Sequence, residues 1–168
     1  MTKEIHVKDF NHFQELVIEW ADKRDMFSDN NTTVSFQLLK LIEQMGELGD
    51  ALIDNDKKSV KNKVGICCVI LVIIGKLGDC QVDLSDDVYL KRYSSVCESF
   101  GGLVQSFLDP VQNKKWNMFN SLVDLRGLAA REFWEKGDDD EAKTRKFLDC
   151  CQCAYNEINA YRIRGGAK

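Results

Sequence analysis

Residues 37–52 read QLLKLIEQMGELGDAL and decide the fold class. Their apolar side chains recur at alternating steps of three and four residues, which is the spacing of one buried face of an amphipathic helix. The residues that form this face are Leu38, Leu41, Met45, Leu48 and Leu52. The polar residues at 54–56 predict the end of this helix.

Two further helices are predicted on either side of this segment. Residues 9–23 carry Phe10, Phe13, Leu16, Val17 and Trp20 at helical spacing. Residues 58–77 are rich in β-branched side chains, yet their number and their lack of turn signals favour a buried helix over a strand. The apolar run at 64–74 is shorter than the roughly 20 residues that a membrane-spanning helix needs, so we expect no membrane span.

The composition is typical of one globular helical domain. Of the 168 residues, 44% are hydrophobic and 30% are charged, which suffices for one core of ordinary size. A single proline argues against an all-β fold, which needs many turns. The formal net charge of −4 offers no positive field to a phosphate backbone, so nucleic acid is not an expected partner. The polar N-terminus does not resemble a signal peptide, and we predict a cytoplasmic protein.

The seven cysteines are predicted to be free thiols, most of them buried, because several lie within apolar helical segments. A disulfide framework does not suit a reducing compartment. Zinc is disfavoured because the cysteines and the two histidines show no pair of separated ligand motifs. The cysteines are Cys67, Cys68, Cys80, Cys97, Cys150, Cys151 and Cys153.

The second half of the chain repeats the pattern of the first. A shift of 55 positions aligns ESFGGL, which begins at Glu98, with EQMGEL, which begins at Glu43. Further helices are predicted around residues 119–133 and from the acidic loop at 138–140 onwards. We therefore predict a single all-α bundle over residues 1–168, with a better-defined copy of the core helix pair at 10–84. Residues 85–164 would hold a degenerate second copy and a final helix, and chance is the alternative explanation of this repeat.

Three segments together resemble the MazG-like family of all-α nucleoside triphosphate pyrophosphohydrolases. They are residues 37–52 with Asp56 and the Val64-Gly65 pair, the WADKR sequence at 20–24, and the AYNEI sequence at 154–158, which precedes a basic tail. The last two are similar to the flanks of phage-encoded members. The resemblance implies a helical bundle of MazG-like type that uses Mg²⁺ to cleave a nucleoside triphosphate to a monophosphate and pyrophosphate.

The residues at the metal positions of this family depart from its pattern. Members carry E-E-x-x-E on one helix and E-x-x-D on the next, and these carboxylates hold Mg²⁺, a cation that takes oxygen ligands. The corresponding residues read EQMGE, which begins at Glu43, and KVGI, which begins at Lys63. Four ligands are expected at positions 44, 47, 63 and 66, and of the residues there, Gln44, Glu47, Lys63 and Ile66, only Glu47 is a carboxylate. Because an ammonium group repels a cation, we predict a nucleotide- or partner-binding protein whose hydrolysis is lost or weakened. We also expect Ile66 to be buried.

Five residues are candidates for nucleotide binding, namely Trp20, Arg24, Gln37, Lys40 and Lys63. Lys63 could meet a phosphate in place of the missing cation, and Trp20 could stack on a base. A solvated Lys63 and a Trp20 within the core are the structural alternatives. Basic residues of the tail at 162–168 could also close over phosphates.

Two alternative functions remain open. The first is an active pyrophosphohydrolase that binds Mg²⁺ through Glu43, Glu47 and Asp50, although this acidic stripe also suits a solvated helix face. The second is a phage-encoded interaction protein that inhibits a host protein. We predict Mg²⁺ as a cofactor only for the active enzyme, and none otherwise. The expected partners are a nucleoside triphosphate or related nucleotide, a host protein, or a second copy in a homodimer.

Overall fold

The computed structural model describes residues 4–109 and 111–163, with side chains up to residue 160. Within these residues the chain forms six α-helices and no β-strand. The helices are α1 (Phe10–Asp22), α2 (Val34–Ile53), α3 (Lys57–Leu77), α4 (Tyr93–Leu108), α5 (Lys114–Glu132) and α6 (Asp140–Ile163). The all-α prediction is confirmed, and the β-branched segment at 58–77 is helical.

Polar side chains fix where four of these helices begin. Asp9, Thr33, Asp56 and Asn113 each accept a hydrogen bond from the backbone N–H three residues further on. Each cap satisfies a donor that has no partner within its helix. The cap at Asn113 explains why α5 begins five residues before the predicted start at 119.

Helix α3 is the centre of the bundle and contacts α1, α2, α5 and α6. Its residues from Cys67 to Gly75 are all buried. This burial on every side explains why residues 64–74 form a continuous apolar run instead of an amphipathic pattern.

One close approach of two helices in the core depends on a glycine. Gly65 of α3 lies against α6, where a Cβ atom on this residue would come within 2.1 Å of the Cys150 carbonyl oxygen and 2.6 Å of the Ala154 Cβ. Only a residue without a side chain allows the two backbones to meet at this distance. The spacing of α3 and α6 is therefore set at Gly65.

Helix α2 packs along α3, and α4 packs along α5. The internal repeat itself stays a prediction. The segments at 36–54 and 98–108 are both essentially helical, although α4 begins at Tyr93, before the repeat. The two pairs meet where the Tyr93 hydroxyl donates a 2.6 Å hydrogen bond to the Met45 carbonyl oxygen. An approximate two-fold relation between the pairs stays a prediction.

A buried arginine holds the long connection between α3 and α4. Arg126 of α5 is 2% exposed and donates hydrogen bonds to the carbonyl oxygens of Ser85 and Asp87. The neighbouring Gly127 carbonyl accepts from the Lys91 N–H at 3.1 Å. These contacts explain how a connection without secondary structure stays on the bundle, since they satisfy carbonyl groups that would otherwise be left without partners.

The cysteines are free, as predicted, and five of them are buried. Burial raises the pKa of the Cys67 thiol to about 12. Such a thiol is largely protonated at neutral pH and a poor nucleophile. Over the described residues, none of the helices is long and apolar enough to cross a membrane.

Replacing Gly65 with alanine should destabilise the protein by about 1 to 3 kcal/mol, because the added methyl group overlaps the backbone of α6. Gly46 is the matched control, since a Cβ atom there meets nothing within 4 Å. Gly46→Ala should stabilise the protein by roughly 0.5 to 1 kcal/mol through helix propensity. Urea unfolding of both variants checks the pair, and a Gly65→Ala protein as stable as the natural one would contradict the packing described.

Candidate functional site

A cavity of about 320 Å³ lies between α1, α2, α3 and α6. Its volume is at the lower end of the range typical of small-molecule sites. The lining residues are Trp20, Met26, Gln37, Lys40, Glu43, Gln44, Ile66, Val69, Ile70, Ile73 and Ile158. Most of the lining residues are apolar, and the charged and amide side chains all come from α2.

The aliphatic wall belongs mainly to α3. Ile66, Val69, Ile70 and Ile73 recur at helical spacing, so they share the face of α3 that is turned towards the cavity. Ile66 is half-buried, which corrects the expectation that it is buried. The reason is that Ile66 packs against the core on one side and lines the cavity on the other.

The polar wall is one face of α2. Gln37, Lys40 and Gln44 lie three and four residues apart, and Glu43 stands beside them at the edge. Gln37 is only 2% exposed, and its amide donates a 2.9 Å hydrogen bond to the Thr32 hydroxyl. Lys40 and Glu43 are exposed, so they form the rim of the cavity.

Trp20 closes the cavity from α1, and its position is fixed on two sides. Its indole N–H donates to the Ile158 carbonyl oxygen at 3.2 Å. The guanidinium carbon of Arg24 lies 4.5 Å from the centroid of the Trp20 ring, a cation–π arrangement. Arg24 thus carries a positive charge next to a residue that lines the cavity.

Lys63 is paired with Glu47, the one carboxylate at the four positions that the family resemblance predicts for metal ligands. The Lys63 Nζ lies 2.6 Å from the Glu47 Oε2. Hydrogen bonding and charge from Lys63 lower the pKa of Glu47, and a hydrogen bond from the Gln44 amide adds to the effect. Lys63, Glu47 and Gln44 therefore form a continuous polar contact from α3 to the wall of the cavity.

The remaining acidic residues lie in a second and more open depression between α2 and α3. This acidic groove has a volume of about 220 Å³ and is lined by Glu47, Asp50, Ala51, Asp54, Asp56, Ser59 and Lys63. Glu43 lies in the cavity instead, so the three carboxylates predicted for Mg²⁺ line two different depressions. Over residues 4–109 and 111–163, no group of three or more His, Cys, Asp or Glu side chains could hold a metal ion.

The structure brings most of the predicted nucleotide-binding residues together. Trp20, Gln37 and Lys40 line the cavity, and Arg24 contacts the Trp20 ring. Lys63 does not join them, because it lies in the acidic groove and contacts Glu47. The side chains of the basic tail at 162–168 lie outside the described residues. Nucleotide binding by these residues stays a prediction.

Sequence reasoning missed the aliphatic half of the cavity. Val69, Ile70 and Ile73 belong to the apolar run that was interpreted only as core, and Ile158 was assigned to the final helix. A continuous apolar run does not tell which of its faces meets a helix and which meets a cavity. The structure is needed to show that the face of α3 with the half-buried Ile66 is the one that meets the cavity.

Comparison with known proteins gives one short match. A segment of 58 residues is 34% identical to an uncharacterized 18.2 kDa protein from the rep-hol intergenic region of Haemophilus phage HP1. The match covers 34% of this chain and 34% of that protein, so the chain spans about a third of its relative's length. No family model matches the chain, and no solved structure matches it.

The match connects the chain to a phage protein and says nothing about activity, since that relative is itself uncharacterized. None of the comparisons points to the MazG-like family. The resemblance described from residues 20–24, 37–66 and 154–158 therefore stays a prediction.

Replacing Lys63 with methionine should make stability less dependent on pH in the acid range. The pKa of Glu47 is lower in the folded protein than the ordinary value of 4.5, so its contribution is present above that value and is lost as the pH falls through the folded-state pKa. The methionine variant lacks most of this contribution at every pH. Its unfolding free energy should therefore fall less than that of the natural protein between about pH 6 and about pH 3.

Urea unfolding at several pH values measures both proteins. The pKa values of Asp56 and Asp138 are also lowered in the fold, by Ser59 and Lys146 respectively, and these contributions are common to both proteins. The difference between the two curves therefore reports the Lys63–Glu47 pair. Parallel curves would contradict the assigned ion pair.

Proposed function

We propose that this chain is a divergent MazG-like protein that binds a nucleotide in the cavity between α1, α2, α3 and α6, with Mg²⁺-dependent hydrolysis lost or weakened. The observation that carries the proposal is the 2.6 Å contact between Lys63 and Glu47 beside that cavity. The Lys63 ammonium group pairs with the carboxylate that a metal ion would need. The cavity beside this ion pair remains open.

The residues present do not fit Mg²⁺. The ion takes an octahedral set of oxygen ligands and is usually held by at least one or two carboxylates together with substrate phosphates. Glu47 is already neutralised by Lys63, and Asp50 and Asp54 are exposed residues of the acidic groove. A cation at Glu47 would therefore have to displace the Lys63 ammonium.

Two cations support phosphate binding at the cavity without a metal. Lys40 stands at the rim, three residues from the buried Gln37, and Arg24 lies over the Trp20 ring. Lys63 is the weaker candidate of the three, because a phosphate would have to compete there with Glu47 and approach several other carboxylates. We therefore assign the phosphates to the rim of the cavity at Lys40, with Arg24 behind Trp20 as the second source of positive charge.

The aliphatic wall supports a base or sugar in the interior of the cavity. Burial of apolar surface supplies affinity, and a few polar groups orient a ligand. The α3 residues that line the cavity supply the apolar surface, and the amides of Gln37 and Gln44 supply the polar groups.

A nucleoside triphosphate should bind in the presence of EDTA, with little change when Mg²⁺ is added. Lys40→Ala should weaken binding by roughly 10-fold, the lower part of the range for a charged hydrogen bond, because Lys40 is exposed. Lys115→Ala is the control, since Lys115 is an exposed lysine of α5, which contributes nothing to the cavity. Isothermal titration calorimetry measures nucleotide binding by the natural protein and by both variants. Binding that occurs only in the presence of Mg²⁺ would contradict the metal-free site.

Purified protein should release little or no pyrophosphate from common ribo- or deoxyribonucleoside triphosphates with Mg²⁺ or Mn²⁺. The reason is that, in the part of the chain that the structure describes, no group of carboxylates could hold the metal ion that activates a water molecule in such a reaction. A coupled phosphate assay measures the release. Robust turnover that disappears in Glu47→Ala would favour the alternative, an active pyrophosphohydrolase.

An interaction with a host protein is a second candidate, and one surface favours it. Phe36, Leu39 and Ile42 of α2 are 51%, 66% and 46% exposed and lie on the outer side of the helix. Large exposed apolar side chains that cluster on one face are typical of interaction sites. A protein that binds no nucleotide but captures a host protein through this face would support this candidate.

A further inference from the structure

The charges around the cavity limit how many phosphate groups a ligand can place there. Of the described residues that line the cavity, Lys40 is the one cation and Glu43 is the one carboxylate. They lie three residues apart on α2, so they share one side of the helix, and both are exposed at the rim. The lining itself therefore carries no net charge.

Arg24 supplies further positive charge from behind Trp20. Its guanidinium carbon lies 4.5 Å from the centroid of the Trp20 ring, and its Nη1 donates to the Trp20 carbonyl oxygen at 3.3 Å. Arg24 does not line the cavity. In this position it favours a negative ligand at the rim, but it does not add a second cationic donor to the lining.

Carboxylates lie on both sides of Lys40 along α2. On the C-terminal side is the acidic groove, which contains the exposed Asp50 and Asp54. On the N-terminal side, the connection between α1 and α2 contributes to the cavity and also carries the exposed Asp25 and Asp29. Phosphates that extend along α2 from Lys40 would approach these like charges, and phosphates that extend into water would gain no contact.

We propose that the cavity takes a nucleoside monophosphate as its complete ligand, with the phosphate at Lys40, and that further phosphates add little or no affinity. This inference rests on the proposed function and deepens it by naming the class of nucleotide. A monophosphate carries about two negative charges at neutral pH, and a triphosphate carries about four.

The charges on the protein suit the smaller of these two values. Lys40 and Arg24 balance a monophosphate, whereas Glu43 and the flanking aspartates oppose additional negative charge. In the part of the chain that the structure describes, no group of three or more His, Cys, Asp or Glu side chains could hold a metal ion that would neutralise a triphosphate. The outer phosphates therefore find neither a cation in the lining nor a metal site.

Calorimetry in EDTA tests the inference on the natural protein with two series of ligands. One series is cytidine, cytidine monophosphate and cytidine triphosphate, and the other contains the corresponding adenosine compounds. Within a series the base and the sugar are constant, so differences in affinity report the phosphates. The ionic strength is kept equal throughout, because salt screens exposed charges.

Two differences in affinity are expected, in whichever series binds more tightly. The monophosphate should bind at least about 3-fold tighter than the nucleoside, because its phosphate accepts a charged hydrogen bond from the exposed Lys40. The triphosphate should bind at most about 3-fold tighter than the monophosphate, because no cation of the lining is left for the outer phosphates.

A triphosphate that exceeds this limit would overturn the inference and leave the proposed function intact. Cations of the tail at 162–168, whose side chains lie outside the described residues, are one source of such a result. A monophosphate that does not exceed its nucleoside by the expected margin would also overturn the inference. Absence of binding in both series would overturn the proposed function and the inference with it.

Glu43→Lys then tests whether the rim sets the limit. A second cation beside Lys40 should raise the ratio of triphosphate affinity to monophosphate affinity by at least about 3-fold. Glu98→Lys is the matched control, because Glu98 is an exposed glutamate of α4 that does not line the cavity, and the change in net charge is the same. Circular dichroism checks that both variants are folded.

An unchanged ratio in the folded Glu43→Lys protein, or an equal rise in Glu98→Lys, would overturn the assignment to the rim. The comparison of ligands on the natural protein stands without any variant.

Discussion

Helix α3 lies in the middle of the bundle, and its contact with α6 at Gly65 constrains where the other helices can lie. A Cβ atom at this position would overlap the Cys150 carbonyl oxygen, so the two backbones touch there. The residues that follow Gly65 along α3 are buried against several helices at once. Each large aliphatic side chain in such a position contributes about 1.5 to 3 kcal/mol of hydrophobic stabilisation. The hairpin partner α2 and the terminal helices α1 and α6 pack around this helix.

The cavity is a consequence of the same arrangement. Where α1, α2 and α6 meet around α3, part of the surface of Ile66, Val69, Ile70 and Ile73 lines the cavity, and the rest of these side chains packs in the core. Polar residues enter only along the edge of α2. The ion pair of Lys63 and Glu47 adds the second feature, since it lowers the pKa of Glu47 and keeps this carboxylate charged beside the cavity.

The fold was largely predictable from sequence because periodicity, capping and the shortage of proline all favour helices. The boundaries of α2 and α3 follow from the polar residues at 54–57, whereas the start of α5 was missed because its apolar pattern begins after its cap at Asn113. The role of Arg126 could not be predicted, since its partners are carbonyl groups some 40 residues away along the chain.

The candidate site was predictable only in part. Trp20, Gln37 and Lys40 were selected by resemblance, and they line one cavity. The partner of Lys63 was not foreseen, because an ion pair between neighbouring helices depends on their register, which sequence does not specify. The division of the acidic residues between the cavity and the acidic groove also depends on how the neighbouring helices pack, so it was not predicted. Glu43 and Glu47 are one turn apart on α2, yet they line different depressions.

The most direct test of the central claim is a map of backbone amide chemical-shift changes, measured by NMR, when CTP is added in EDTA. The account predicts that the largest changes fall at Trp20, Gln37, Lys40 and Gln44 and on the facing residues of α3, with no need for Mg²⁺. Changes that appear only after Mg²⁺ is added, or that concentrate at Asp50, Asp54 and Ser59 in the acidic groove, would contradict it.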